Sequence, residues 1–177
     1  MSYRILVTEV ACLLVLGLSA CSDLSNDPRY EEGWAIYFLA DPTITSQDVR
    51  GRPVNTLLLA SSPGITARDL KSYNWTTHEI VFTPPIEARL DSLGYHGFNG
   101  SGVPFVVVVN GERIYMGALW HLFSSLMPTC PHIFLILKPR TIRLSGLHEG
   151  ADPRSDMRIY RSLKAAGVLI EESVPAP

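Results

Sequence analysis

Apolar residues in this chain come in short, dense runs broken by Pro, Gly, Asn and Asp, a pattern that punctuates strands and short helices with turns. The run from Trp34 to Leu39 is aromatic and β-branched and stops at Asp41-Pro42, which predicts a buried strand. Thr45-Ser46-Gln47-Asp48 then has the form of a capping box over a short turn of helix. A second apolar run, Val54 to Ala60, closes at Ser61-Ser62-Pro63-Gly64. A second capping box, Thr66-Ala67-Arg68-Asp69, predicts a helix from about Ala67 to Tyr73. His78 to Thr83 predicts a strand ended by Pro84-Pro85, and Ile86 to Leu93 a helix closed by Gly94.

The strongest local signal is Pro104-Phe105-Val106-Val107-Val108-Val109, then Asn110-Gly111, then Glu112-Arg113-Ile114-Tyr115-Met116. Asn-Gly supplies the two positive φ angles of a type I′ turn, so these runs predict a β-hairpin, and four consecutive valines place it where both faces are buried. Ile133 to Leu137 and Thr141 to Leu144 predict a further pair around Lys138-Pro139-Arg140. Asp152-Pro153 offers an N-cap with proline at the first helical position. Met157, Tyr160 and Leu163 form an apolar stripe, and Gly167 ends that helix. The expected fold class is α+β: a mixed, largely antiparallel sheet with a central β-hairpin and packed helices in a single domain over residues 33–172, followed by a loose tail, 173–177.

The amino-terminal pattern differs. Arg4 precedes an apolar run from Val10 to Leu18 that closes in Leu18-Ser19-Ala20-Cys21, and Ser22 to Glu32 is polar and aperiodic. Val10 to Ala20 is 11 residues, well short of the roughly 20 that span a bilayer as a helix. The first 21 residues resemble the signal peptide and lipobox of bacterial lipoproteins, with Glu9 departing from the pattern at the entrance to the apolar run. The resemblance implies a signal peptide over 1–20, cleavage between Ala20 and Cys21, acylation of Cys21 by groups such as palmitate, and a lipidated tether over 21–32. Several acyl chains on one cysteine would hold the protein on a membrane without a transmembrane helix. It further implies a bacterial cell membrane or outer membrane location facing the periplasm or exterior; Ser22 after the cysteine is compatible with the outer membrane, the acid coming one place later at Asp23. The rest of the chain is similar to small uncharacterised bacterial lipoproteins carrying segments like Tyr73-Asn74-Trp75-x-x-His78, Pro104 to Tyr115 and Asp152-Pro153-Arg154, a likeness to which no activity attaches.

Removing residues 1–20 leaves 157, ordinary for one domain, and the formal net charge stays at −2, which offers no basic field for nucleic acid. Of three cysteines, Cys12 lies in the leader and Cys21 is the lipid acceptor, so Cys130 remains as a small buried hydrophobe.

No assembled catalytic or metal motif is present, so the catalytic, metal and cofactor expectations are none. His78-Glu79-Ile80-Val81-Phe82 begins like a zinc-protease helix but has Phe82 where the second histidine belongs, and His148-Glu149-Gly150-Ala151-Asp152 fails through its turn composition. Cys130-Pro131-His132 lacks the partners of a four-ligand set. Ser124-Ser125, beside Trp120-His121, lacks a Gly-x-Ser-x-Gly elbow. Gly94 to Gly102 is glycine-rich but lacks the Lys-Ser/Thr of a phosphate loop and reads as a connector. Among the aromatic residues, Trp75, His78, Trp120 and His121 are the candidate ligand surface, since tyrosine, tryptophan and histidine at polar loops combine apolar area with a polar tip. The expected function is a membrane-tethered envelope lipoprotein serving as a non-enzymatic binding or accessory domain. Its expected partners are the bilayer, through acylated Cys21, and an envelope protein or small ligand. One alternative is an envelope hydrolase in which Ser124 or Cys130 meets His78, His96, His121 or His132 in space. Another is a secreted eukaryotic glycoprotein, because Asn74-Trp75-Thr76 and Asn99-Gly100-Ser101 fit the N-glycosylation pattern.

Overall fold

The computed structural model describes residues 33–95 and 100–171; the lipobox with Ala20 and Cys21, the tether, His96 to Asn99 and the tail lie outside the described residues. In chain order the elements are β1 (Trp34–Phe38), β2 (Ile65–Thr66), β3 (Leu70–Asn74), β4 (Glu79–Phe82), α1 (Pro84–Tyr95), β5 (Val103–Val109), β6 (Glu112–Trp120), β7 (His132–Phe134), β8 (Arg140–Thr141), α2 (Met157–Ala165) and β9 (Leu169–Ile170). Single 3-10 turns occupy Val54–Thr56, Ala67–Asp69 and Pro153–Ser155.

The valine run is the axis of the fold. β5 is central in a five-stranded sheet ordered β2-β1-β5-β6-β7, and a second, four-stranded sheet is ordered β8-β4-β3-β9. All pairings are antiparallel except β6 with β7 and β3 with β9. Alternation along β5 explains why it carries no polar residue: Phe105, Val107 and Val109 enter the main core, while Val106 and Val108 enter a second core on the opposite face. The main core is closed by Leu70, Tyr73, Ile80 and Phe82 of the second sheet and by Ile86, Leu90, Ile159 and Leu163 of the two helices. The second core is covered by the segment carrying Leu39, Val49 and Leu57.

Asn110 and Gly111 form the expected two-residue turn, with φ of 50° and 82°. Just beyond it the register steps from Val108↔Arg113 to Val107↔Tyr115, so Ile114 is the extra residue of a β-bulge. The Asn110 side chain also accepts from the Gly33 N–H at 2.7 Å, which fixes the chain to the turn end of the sheet where β1 begins.

The molecule is a single compact α+β domain, but two sheets replace the one expected and the helices are few. The Val54 to Ala60 run is not a strand: it contains a 3-10 turn and meets β1 at one bridge, Leu39↔Leu59, because Asp41-Pro42 leaves β1 no further ladder to offer. The Thr66–Asp69 capping box exists, yet it starts one 3-10 turn instead of a helix to Tyr73. A turn or two of helix is marginal alone, and pairing of Leu70–Asn74 with β4 and β9 wins. The two runs flanking Lys138-Pro139-Arg140 part company, β7 joining β6 and β8 joining β4, and a single His132↔Arg143 bridge remains between them. Asp152 caps the 3-10 turn, Asp156 caps α2, and the face α2 buries is Ile159 and Leu163, with Met157 exposed.

Candidate functional site

The four candidate surface residues separate into two pairs, one at the turn after β3 and one at the end of β6, each with one buried and one half-buried member. His78 closes the turn between β3 and β4 in the left-handed region, at φ 56°, a conformation histidine tolerates better than β-branched residues do. Asn74 builds that turn by accepting from the Thr76 and Thr77 backbone N–H groups at 2.9 and 3.0 Å. The imidazole is thereby buried against the edge of Trp75, whose own ring meets Tyr160 of α2 at 5.2 Å. Tyr73 Oη and His78 Nδ1 are 2.9 Å apart, and His78 Nε2 lies 3.9 Å from Asp152, whose carboxylate receives both Nε and Nη2 of Arg154.

Burial pushes the His78 pKa down to about 4, aided by the Arg154 charge and opposed by Asp152. A neutral imidazole with its proton on Nε2, toward Asp152, leaves Nδ1 to accept from Tyr73, whose own pKa burial raises. Arg154 continues the chain by donating from Nη1 to the Ile142 carbonyl at 2.6 Å. The group pins the segment before α2 to the second sheet, with each polar end occupied.

Trp120 and His121 lie at the end of β6. Trp120 is buried with Ala118 and Cys130, away from the main core, and so does not line a ligand surface. His121 is a clip: Nδ1 accepts from the Phe123 N–H at 3.2 Å, and Nε2 donates to the Gly94 carbonyl at 3.2 Å. Ser124 Oγ donates to the Gly100 carbonyl and accepts from the Leu126 N–H. Cys130 is buried, its thiol pushed up to about 11 by desolvation, and His132 Nδ1 donates to the Cys130 carbonyl. Among the described residues no hydrogen bond joins Ser124 Oγ or Cys130 Sγ to an imidazole, and no group of three His, Cys, Asp or Glu stands ready for a metal. His96 lies outside the described residues.

What these clips build is the surface the sequence reading missed. A strand parallel to β6 requires the chain to travel back, and residues 121–131 make that return. His121 and Ser124 turn their polar atoms onto backbone, Pro128, Cys130 and Pro131 are buried, and four large apolar side chains are left outside. Leu122, Phe123, Leu126 and Met127 are 42%, 79%, 44% and 73% exposed, and Leu147 of the neighbouring loop is 64% exposed. The two loops are joined where Ser145 Oγ donates to the Pro128 carbonyl and accepts from the Leu147 N–H. Large apolar side chains exposed on two loops bonded to each other mark the kind of surface that a partner covers. A signal existed: from Ile114 to Leu137, 24 residues pass without an Asp, Glu, Lys or Arg.

At the same end of the sheet is an apolar slot of about 360 Å³, lined by Phe38, Leu39, Pro42, Ile44, Leu93, Val103, Pro104 and Leu119, with Asp41 its one ionisable residue among those described. That volume is at the small end of ligand pockets. The His121 clip on Gly94 holds the apolar loop beside Leu93, one wall of the slot. A larger cavity of about 920 Å³ lies at the other end, near Gly33 and Asn110; there Arg158 is already paired with Glu112 and Asp156.

No protein-family model, curated protein or solved structure matches this chain. Among the described residues no helix is long and apolar enough to cross a membrane.

Proposed function

We propose that this chain is a bacterial envelope lipoprotein, tethered to the cell membrane or outer membrane through acylated Cys21, whose folded domain is a non-enzymatic binding or accessory module. The observation that carries the binding role is the loop in which His121 and Ser124 bond inward while Leu122, Phe123, Leu126 and Met127 stand outside, beside an apolar slot. Leaving such side chains in water is costly, at about 25 cal/mol per Å² of apolar area, and a surface that keeps them there is suited to being covered by a partner. The support for the anchor is the ordered series Arg4, apolar run, Leu18-Ser19-Ala20-Cys21 and polar tether.

Two experiments test the two halves. Cells fed labelled palmitate incorporate it into the parent and not into Cys21→Ser, and the variant leaves the detergent-extracted membrane fraction, whereas Cys130→Ser fractionates like the parent. A Cys21→Ser protein still cleaved after Ala20 and still membrane-bound ends the lipoprotein reading. For the binding half, a photocrosslinking residue at position 123 yields discrete adducts in intact cells, while one at exposed Arg161, on α2, does not. Equal results at the two positions overturn it.

A further inference from the structure

We propose that the slot beside the apolar loop receives one large apolar side chain from an extended segment of a partner protein, and that a Lys or Arg adjacent to it in that segment pairs with Asp41. The inference rests on the reading of the domain as a binding module and names the chemistry of what it binds. The walls are hydrocarbon from Phe38, Ile44, Leu93, Val103 and Leu119, and the space suits one or two side chains. Asp41 is the exposed acid of the lining, and its carboxylate is held by one oxygen: Oδ1 accepts from the Thr43 N–H at 2.9 Å and from Thr43 Oγ1 at 2.7 Å. These bonds hold the carboxyl below its ordinary pKa, so it is anionic across the neutral range, while Oδ2 has no bond and no cation among the described residues. An apolar slot with a fixed, unpaired carboxylate in its lining selects for an apolar group followed by a positive charge.

Other occupants fit less well. The chain enters the domain at Gly33, tied to the Asn110–Gly111 turn, whereas the slot and loop sit where β6 ends. The nine residues of β6 separate those ends by about 30 Å. For a domain anchored through Cys21, the point of entry at Gly33 and the slot therefore lie at opposite ends of the sheet. A phospholipid would also bring its phosphate to Asp41. A second copy offers Phe123 or Met127, but its loop lies within a run from Ile114 to Leu137 that contains no Lys or Arg.

The test uses the full chain on phosphatidylcholine nanodiscs with three blocked peptides, Ala-Phe-Lys-Ala, Ala-Phe-Glu-Ala and Ala-Ala-Lys-Ala, followed by NMR chemical-shift titration. The Phe-Lys peptide binds, and the other two bind at least several-fold more weakly. Asp41→Asn weakens the Phe-Lys peptide about three- to five-fold, the range of a partly exposed ion pair, and brings it level with Phe-Glu. Leu93→Gln, at a half-open helix position, weakens every Phe peptide, with an unchanged melting temperature as the folding control. Equal binding of Phe-Lys and Phe-Glu overturns the proposal, as does absence of binding by all three. So does Cys21→Ser protein floating with neutral vesicles, or self-association abolished by Phe123→Ser, since lipid or a second copy is then the occupant. If adducts form at position 123 in cells while the peptides fail, this inference alone falls and the binding-module reading stands.

Discussion

At the scale of single residues, His78 shows how local strain and burial combine. Its backbone is left-handed, its ring is enclosed by Tyr73, Trp75 and the Asp152–Arg154 pair, and its pKa is pushed down to about 4. In the unfolded chain a histidine titrates near 6.5, so between about 6.5 and 4 the unfolded state binds the extra proton and stability falls as pH falls. The full effect of His78 is at most about 3 kcal/mol. Burial lowers His132 as well, so it acts in the same direction. His78→Asn keeps a residue that accepts positive φ and removes one titration. Its melting temperature therefore drops less than the parent's between pH 6.5 and 4.5, as differential scanning fluorimetry reads. A parallel decline in both proteins shows that the His78 pocket admits the proton.

Between elements, two close approaches decide how the sheets and α1 are joined. At Gly117 a Cβ would lie 2.5 Å from the Phe105 ring and 2.8 Å from the Pro131 carbonyl, the carbonyl that the Ala118 N–H bonds to hold β7 on β6. Gly117→Ala destabilises by about 1–3 kcal/mol, measured by urea unfolding, because buried ring and backbone both have to move. Arg140 is the second join. It is 1% exposed, donating to Glu87 and Asp91 of α1 and to the Leu135 carbonyl. Arg140→Met retains the stem but leaves the buried Leu135 carbonyl without its side-chain donor and Glu87 and Asp91 with Lys138 alone, and costs about 2–4 kcal/mol by the same measurement. An unchanged midpoint in either variant rules out the corresponding join as a determinant of stability.

Across the whole molecule, β5 divides two cores, and a charge on either face is equally out of place. Val107→Asp in the main core and Val108→Asp in the second core both abolish soluble folded protein, because a carboxylate enters hydrocarbon with no partner. If either variant yields a soluble domain with a parental near-ultraviolet dichroism spectrum, that face of the strand is not enclosed. The two ends of this axis differ in kind. One holds the turn, Gly33 and the paired Arg158, and the other holds the charge-free loop and the slot. For a domain held by its amino terminus, that polarity sets which end is offered outward.

Elements whose instructions are local could be read from the sequence alone. Asn110-Gly111 is a hairpin turn because two adjacent residues must accept positive φ, and the valine run is central because period-two alternation with no polar position needs two buried faces. The cap at Asp152, the strand at Glu79–Phe82 and the burial of Cys130 follow from similarly short-range rules. Long-range competition decided the rest. Thr66–Asp69 is a helix start that stops after one 3-10 turn because Leu70–Asn74 pairs as a strand, and Arg140, a turn residue by sequence, became a core cation because two acids of α1 are folded onto it. The candidate surface depended most on tertiary structure. Trp75 and Trp120 are as aromatic as a binding surface needs, yet packing buried Trp120 and half-covered Trp75 with His78 and Tyr160. Phe123 and Met127 were left outside because His121 and Ser124 satisfy the loop's own backbone, and only the folded chain brings those acceptors within reach. Residue type sets what a side chain prefers, and the backbone groups brought within reach of it determine which preference is met.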